Sequence, residues 1–359
     1  MSATAADPES FLVVRLGAMG DIIHTLPAVT ALRNVRPNTR IGWIVEERWA
    51  QLLCAQNSPR SGPRSPSRPL VDIVHAVNTK AWRKSLLARE TQRQISAALH
   101  EVRDLKYETA VDFQGALKSA VIARCSGART IVGLNHPRET PARILYSRRV
   151  ATTKAHVVEQ YHALAEAITG NTLAVPAVEF PHDNQAEAEI TKQVVALGGA
   201  NEFAIMNPGA GWGGKQWPPE RYGAVASALA ADGLLPLINC GPSEEGHAQA
   251  ALAASKGTAQ SISCSIAELI ALTRRARLFI GGDTGPLHLA AALQIPVVAL
   301  FGPTDPARNG PYGTKNIVLR NPASRTSLSH TSVSDPGLLQ ITADEVISAA
   351  RRLLEIRHA

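Results

Sequence analysis

Apolar residues in this chain fall into short runs separated by longer stretches of helical periodicity, and the alternation occurs twice. In the first half FLVVRL (11–16), IGWIVE (41–46), VDIVHAV (71–77) and residues 108–113 read as strands, because short apolar runs bounded by turn signals suit a buried sheet. Helical patterns begin near Asp21 and cover 88–105, 116–126 and 154–168. The second half repeats the order, with strands at 203–207, 235–239, 277–281 and 297–301 and helices at 219–231, 244–255, 265–275 and 286–294. Such alternation predicts an α/β protein with parallel, doubly wound sheets covered on both faces.

A length of 359 residues suits two domains, assigned to 1–175 and 185–340, with NTLAVPAVEFPHDN (171–184) as the linker. The last helix, within 341–359, is expected to pack back across the junction. NSPRSGPRSPSRP (57–69) lacks periodicity and is rich in Pro, Ser and Arg, so it reads as a mobile surface insertion. Cys54, Cys125, Cys240 and Cys264 show no CxxC spacing, which argues against a disulfide scaffold or a zinc site. The start MSATAADPES lacks a leader pattern, and no apolar run approaches the roughly 18 residues of a membrane span. A cytoplasmic protein is expected.

The net charge is +7, and its location matters more than its size. Between Asn78 and Val150 stand 14 Lys and Arg against 6 Asp and Glu, a surplus of eight. A basic face on the first domain suits a phosphorylated substrate or an anionic membrane surface. Aromatic residues are only 4% and no nucleic-acid-binding signature appears, so nucleic acid is not an expected partner.

Three loops carry candidate chemistry. In RLFIGGDTGPLHLAAALQIPVVALFGPTDP (277–306) a strand opens through Asp283, Thr284 and Gly285 into a helix with Pro286 and His288 in its first turn. Either Asp283 is a plain helix cap, or the first-turn N–H groups hold a phosphate with His288 beside it. NPGAGWGGKQW (207–217) offers a glycine-rich loop with one cation, Lys215, and the next strand ends near Glu244 and Glu245, acceptors suited to sugar hydroxyls. In the first domain RLGAMGD places Asp21 beyond a strand, where doubly wound sheets hold ligands. Two glycines there permit close approach to the backbone. This RLGAMGD loop is neither GxGxxG nor GxxxxGK[ST], so dinucleotide and P-loop readings lose support there, and a two-domain dehydrogenase is the weaker reading.

LGAMGDIIHTLPA (16–28), WIVEERWAQLL (43–53), AWRK (81–84), VDFQGALKSA (111–120), GGKQWP (213–218), GGDTGPLHLAAAL (281–293) and FGPTDP (301–306) together resemble glycosyltransferase family 9, the bacterial heptosyltransferases. The resemblance implies the GT-B fold, two Rossmann-like domains facing across a cleft. It also implies inverting, metal-independent transfer of L-glycero-D-manno-heptose from ADP-heptose, a co-substrate, to the Kdo of lipid A, with no cofactor. Asp21 would be the general base. Lys215, Glu244 (or Glu245), Asp283, Thr284, Gly285 and His288 would bind the donor. Lys80, Arg83, Lys84, Lys118 and Arg138 would meet the anionic lipid-linked acceptor, with peripheral contact at the cytoplasmic face of the inner membrane. Alternatives within the same scaffold are a type II heptosyltransferase, a family 9 enzyme using another nucleotide sugar, or a non-catalytic nucleotide-binding protein.

Overall fold

Each half of the chain closes around its own six-stranded, all-parallel sheet. The computed structural model describes residues 10–198, 202–241, 244–327 and 331–356; the amino-terminal segment expected to lack a leader and residues 242–243 lie outside them. The two compact units are 1–182 and 183–359.

The first unit runs β1 (Ser10–Val14), α1 (Met19–Val35), β2 (Arg40–Glu46), β3 (Ile73–Val77), α2 (Thr79–Lys84), α3 (Arg89–Asp104), β4 (Thr109–Asp112), α4 (Leu117–Cys125), β5 (Thr130–Leu134), β6 (Arg148–Val150) and α5 (Val157–Thr169). The strand order is β3-β2-β1-β4-β5-β6. The second unit runs α6 (Asn184–Ala196), β7 (Phe203–Asn207), α7 (Pro219–Ala231), β8 (Leu235–Asn239), α8 (Glu245–Ala254), β9 (Gln260–Ile262), α9 (Ile266–Arg275), β10 (Leu278–Gly282), α10 (Gly285–Ala292), β11 (Val297–Phe301), α11 (Pro306–Asn309), β12 (Asn316–Arg320) and α12 (Ala343–Ile356). Its order, β12-β11-β10-β7-β8-β9, is the same topology.

The period of two explains why the strands are apolar throughout. In β7, Phe203 and Ile205 enter the core on one face of the sheet while Ala204 and Met206 enter the core on the other. A strand covered on both faces has no polar side to show, so it appears in sequence as a continuous apolar run. Strands β6, β9 and β12, which sequence did not show, are sheet edges with partly exposed residues, and the apolar signal fades there.

One expectation is corrected. The 57–69 insertion is held, not loose: the buried Arg68 donates to the carbonyls of Pro59, Gly62 (2.6 Å), Pro63 (2.9 Å) and Val71 (3.1 Å). Further bonds from Ala55 N–H to Ser67 O and from Val74 N–H to Arg60 O join it to the domain. One arginine coordinating backbone carbonyls leaves no periodic trace. The terminal helix α12 buries Val346, Ala349, Ala350 and Leu353 in the second unit's core.

Candidate active site

In the first sheet the strand order reverses between β1 and β4, and Asp21 sits at that crossover, in the first turn of α1. Ligands of doubly wound sheets bind at such points. Both carboxylate oxygens are fixed. Oδ2 accepts from the Ala18 N–H at 3.1 Å, and Oδ1 pairs with Arg15 Nη2 at 2.8 Å. Arg15 is buried, donates to the Phe113 carbonyl at 2.6 Å and lies 5.4 Å from the Tyr161 ring centre. Burial pushes its pKa down, but Tyr161, Asp21 and Asp112 more than offset this, and the guanidinium stays a cation. Asp21 itself is 39% exposed, so a substrate can reach it. A Cβ at Gly17 would stand 2.9 Å from Trp49 Nε1, which is why this loop takes glycine.

Beside this loop, wholly within the first unit, lies a cavity of about 960 Å³. It brings together Lys80, Arg83, Lys118 and Arg138; Lys84, exposed at the end of α2, is not among its lining residues. Lys118 Nζ donates to Thr79 Oγ1 at 2.9 Å and lies 3.9 Å from Glu46, which also accepts from Thr79. Glu46 N–H donates to Leu16 O, and Leu16 N–H donates to Gln114 Oε1, so two lining residues tie the cavity wall to the Asp21 loop. The buried His75 lines the wall as well. Its Nδ1 meets Glu101 at 2.7 Å and its Nε2 meets Tyr107 OH at 2.9 Å. Burial lowers its pKa, only partly countered by Glu101, so the neutral ring donates to Glu101 and accepts from Tyr107.

In the second unit the order reverses between β7 and β10, and there Lys215, Asp283 and His288 form one cluster. Lys215 Nζ bonds to Asp283 Oδ2 at 2.6 Å and to its carbonyl at 3.1 Å; His288 Nε2 bonds to Oδ1 at 2.9 Å. Burial alone would push the Asp283 carboxyl up, yet His288 and Lys215 hold it well below the usual carboxylate range. The plain-cap reading of Asp283 does not hold, because its carboxylate bonds to Lys215 and His288 and not to the start of α10. The N-cap of α10 is Thr284, whose hydroxyl bonds to Gly282 O rather than to the helix, and Asp283 orients the two cationic or neutral donors beside it. The first turn from Gly285 therefore has no side-chain cap and presents N–H groups to an anion.

Glu244 accepts from the Gly241 N–H at 2.9 Å, and a Cβ at Gly209 would collide with its carboxylate. Hence Glu244 faces the loop that carries Lys215, whereas Glu245 is the exposed first residue of α8. Sequence reasoning missed Arg15, Trp49, Glu46 and His75. Arg15 left a signal, a cation inside the apolar run FLVVRL; the others have partners far away in sequence and left none. Among the described residues no group of three His, Cys, Asp or Glu converges as a metal site, and no helix is long and apolar enough to cross a membrane.

Comparisons with known proteins bear on the fold and the family. Lipopolysaccharide heptosyltransferase 1 of Pseudomonas aeruginosa is 29% identical over 86% of this chain and 82% of its own length. The solved structure of Escherichia coli heptosyltransferase WaaC with ADP is similar with a TM-score of 0.75 and 26% identity, covering 96% of this chain and 99% of that one. A family 9 glycosyltransferase structure from Veillonella parvula shares the fold at a TM-score of 0.81 and 21% identity, over 99% and 100% of the two chains. Two Rossmann-like units in one chain are the GT-B plan expected from the sequence. Residues 95–335 match the family described as glycosyltransferase family 9 (heptosyltransferase), and the chain belongs to that family.

Proposed function

We propose that this glycosyltransferase moves L-glycero-D-manno-heptose from ADP-heptose to the Kdo of lipid A, with inversion and without a metal, at the cytoplasmic face of the inner membrane. The observation that carries this reading is the placement, at the crossover of each sheet, of the group its half-reaction needs: a fixed, accessible carboxylate in the first unit and a cation beside an uncapped helix start in the second. The relatives named above support the sugar and the acceptor.

In the reaction the Kdo hydroxyl oxygen attacks the anomeric carbon as the bond from that carbon to the phosphate oxygen breaks. ADP leaves with the electron pair, the configuration inverts, and Asp21 takes the hydroxyl proton. Arg15 and the Ala18 N–H keep the Asp21 carboxylate oriented toward the acceptor. An ammonium has three N–H donors; Lys215 gives two to Asp283 and offers the third to the diphosphate. The α10 first turn and Lys215 then stabilise charge developing on ADP. Lys80, Arg83, Lys118 and Arg138 receive the acceptor's carboxylates and phosphates.

Product analysis with ADP-heptose and Kdo-lipid A tests the reading. Asp21→Asn and Asp21→Ala are expected to lower kcat by roughly 10²- to 10⁴-fold, the usual contribution of a positioned base. Wild-type turnover by either variant would remove Asp21 from that role, and absence of heptosylated product from the wild type would overturn the substrate assignment.

A further inference from the structure

The helix α3 is amphipathic, yet of its 16 residues only Thr91 and Val102 are buried. Ile95, Ala98, Leu99 and Val102 recur at helical spacing, the pattern that ordinarily packs on a sheet. These four residues line the 960 Å³ cavity together with Val121 and Ile122 of α4, while Val102, Ala98 and Ile122 also pack on the first unit's core. Large apolar side chains also stand exposed at its edge: Leu86 at 55%, Leu117 at 44% and Val121 at 45%. Leu87, next in sequence to Leu86, is 90% exposed. A cavity with apolar walls that also carries Lys80, Arg83, Lys118 and Arg138 is matched to an amphiphile with an anionic head.

We infer that this cavity shelters an acyl chain of the acceptor itself while the anionic head lies toward Asp21, an assignment that rests on the acceptor reading above. A sugar head alone has no use for the Ile95–Leu99 wall. A bilayer surface is ruled the poorer match by shape, since a leaflet presents a plane and this feature is concave. Head orientation follows from the wall: Glu46 and Gln114 line the cavity and bond to Leu16 in the loop that leads to Asp21. The chain therefore runs away from the base, beneath α3, and the head is delivered to it.

Trp82 lines the cavity and supplies an optical probe, because bromine on an acyl chain quenches indole fluorescence at contact. The full-length protein is mixed with Kdo-lipid A carrying brominated acyl chains in unbrominated phosphatidylglycerol vesicles, and in the opposite arm with unbrominated Kdo-lipid A in brominated vesicles. The Trp82 signal is the difference between wild type and Trp82→Phe. Quenching is expected in the first arm and not in the second. Leu99→Gln should abolish it and raise the acceptor KM about tenfold, the loss of one apolar side chain's contact, without raising the donor KM. Val121→Gln, on α4, provides a second variant should the first fail to fold. Quenching equal in both arms, or unchanged in the folded variants, overturns the inference. Quenching in the first arm without heptose transfer supports the cavity assignment and sinks the assigned reaction instead, so the two failures are distinguishable.

Discussion

Asp283 is a buried carboxylate whose part in the site is set by the two groups that hold it. With both oxygens bonded, to Lys215 and to His288, it is an organiser of the site. Asp283→Asn should destabilise the protein by about 3 kcal/mol, since removing one partner of a buried pair leaves the other charge uncompensated. The same change should raise the ADP-heptose KM roughly tenfold by releasing Lys215, each 1.4 kcal/mol being tenfold. Urea unfolding and initial-rate kinetics check the two together, and a raised KM with an unchanged urea midpoint would mean direct donor contact instead. His75 permits a pH prediction. Its folded pKa lies below the ordinary 6.5, so the unfolded state binds the proton first and stability is full above that pH. As pH falls below 6.5 the wild type should lose about 1.4 kcal/mol for each unit separating the folded and unfolded pKa values, and His75→Gln should not lose that increment. Parallel pH dependences of the two proteins, by urea unfolding at pH 7.5 and 5.5, would contradict this. The residue types of the proposed donor site stand in DTGxxH and GGK, because backbone geometry and charge are local properties. Their mutual bonding was not, since Lys215 and Asp283 are 68 positions apart and only the sheet order makes them adjacent.

Legibility among elements followed burial only in part. Strands β7, β8 and β11 and helix α7 have the limits read from sequence because their apolar runs end abruptly at turn residues. The edge strands β6, β9 and β12 and the short helix α2 escaped, having few buried positions, but so did the interior strand β5, whose centre is buried, and the helix α6. The 57–69 insertion escaped for another reason: its order comes from a side chain filling the part of a strand partner. Arg68→Met keeps much of the apolar stem but removes every donor to the four carbonyls of Pro59, Gly62, Pro63 and Val71. The expected cost is about 3 kcal/mol, since bonds from a charged donor are worth roughly 1.5–3 kcal/mol each and do not add fully. Limited proteolysis should then cut within 57–69 faster than in the wild type. An unchanged cleavage rate and urea midpoint would show that the insertion is ordered by other contacts.

At the scale of the whole molecule, the charge is distributed unevenly with respect to the two substrates. The segment 78–150 carries a surplus of eight positive charges and the complete chain only +7, so the remainder sums to −1. The long-range positive field therefore belongs to the first unit, where Lys80, Arg83 and Arg138 are exposed around the cavity. The proposed donor site uses a different kind of electrostatics, with Lys215 at 16% exposure, paired at contact distance and beside a helix start without a side-chain cap. Salt distinguishes the two, because exposed charges are screened beyond a Debye length of about 10 Å at 0.1 M while buried contacts are screened far less. Raising sodium chloride from about 0.05 to about 0.5 M should increase the KM for Kdo-lipid A in neutral detergent at least about fivefold, and that for ADP-heptose by less than about twofold. Replacing Arg83 and Arg138 by Gln should reproduce the acceptor effect at low salt and flatten its salt dependence. Equal salt sensitivity of both KM values would place the dominant field at the donor site and remove the functional meaning of the basic segment.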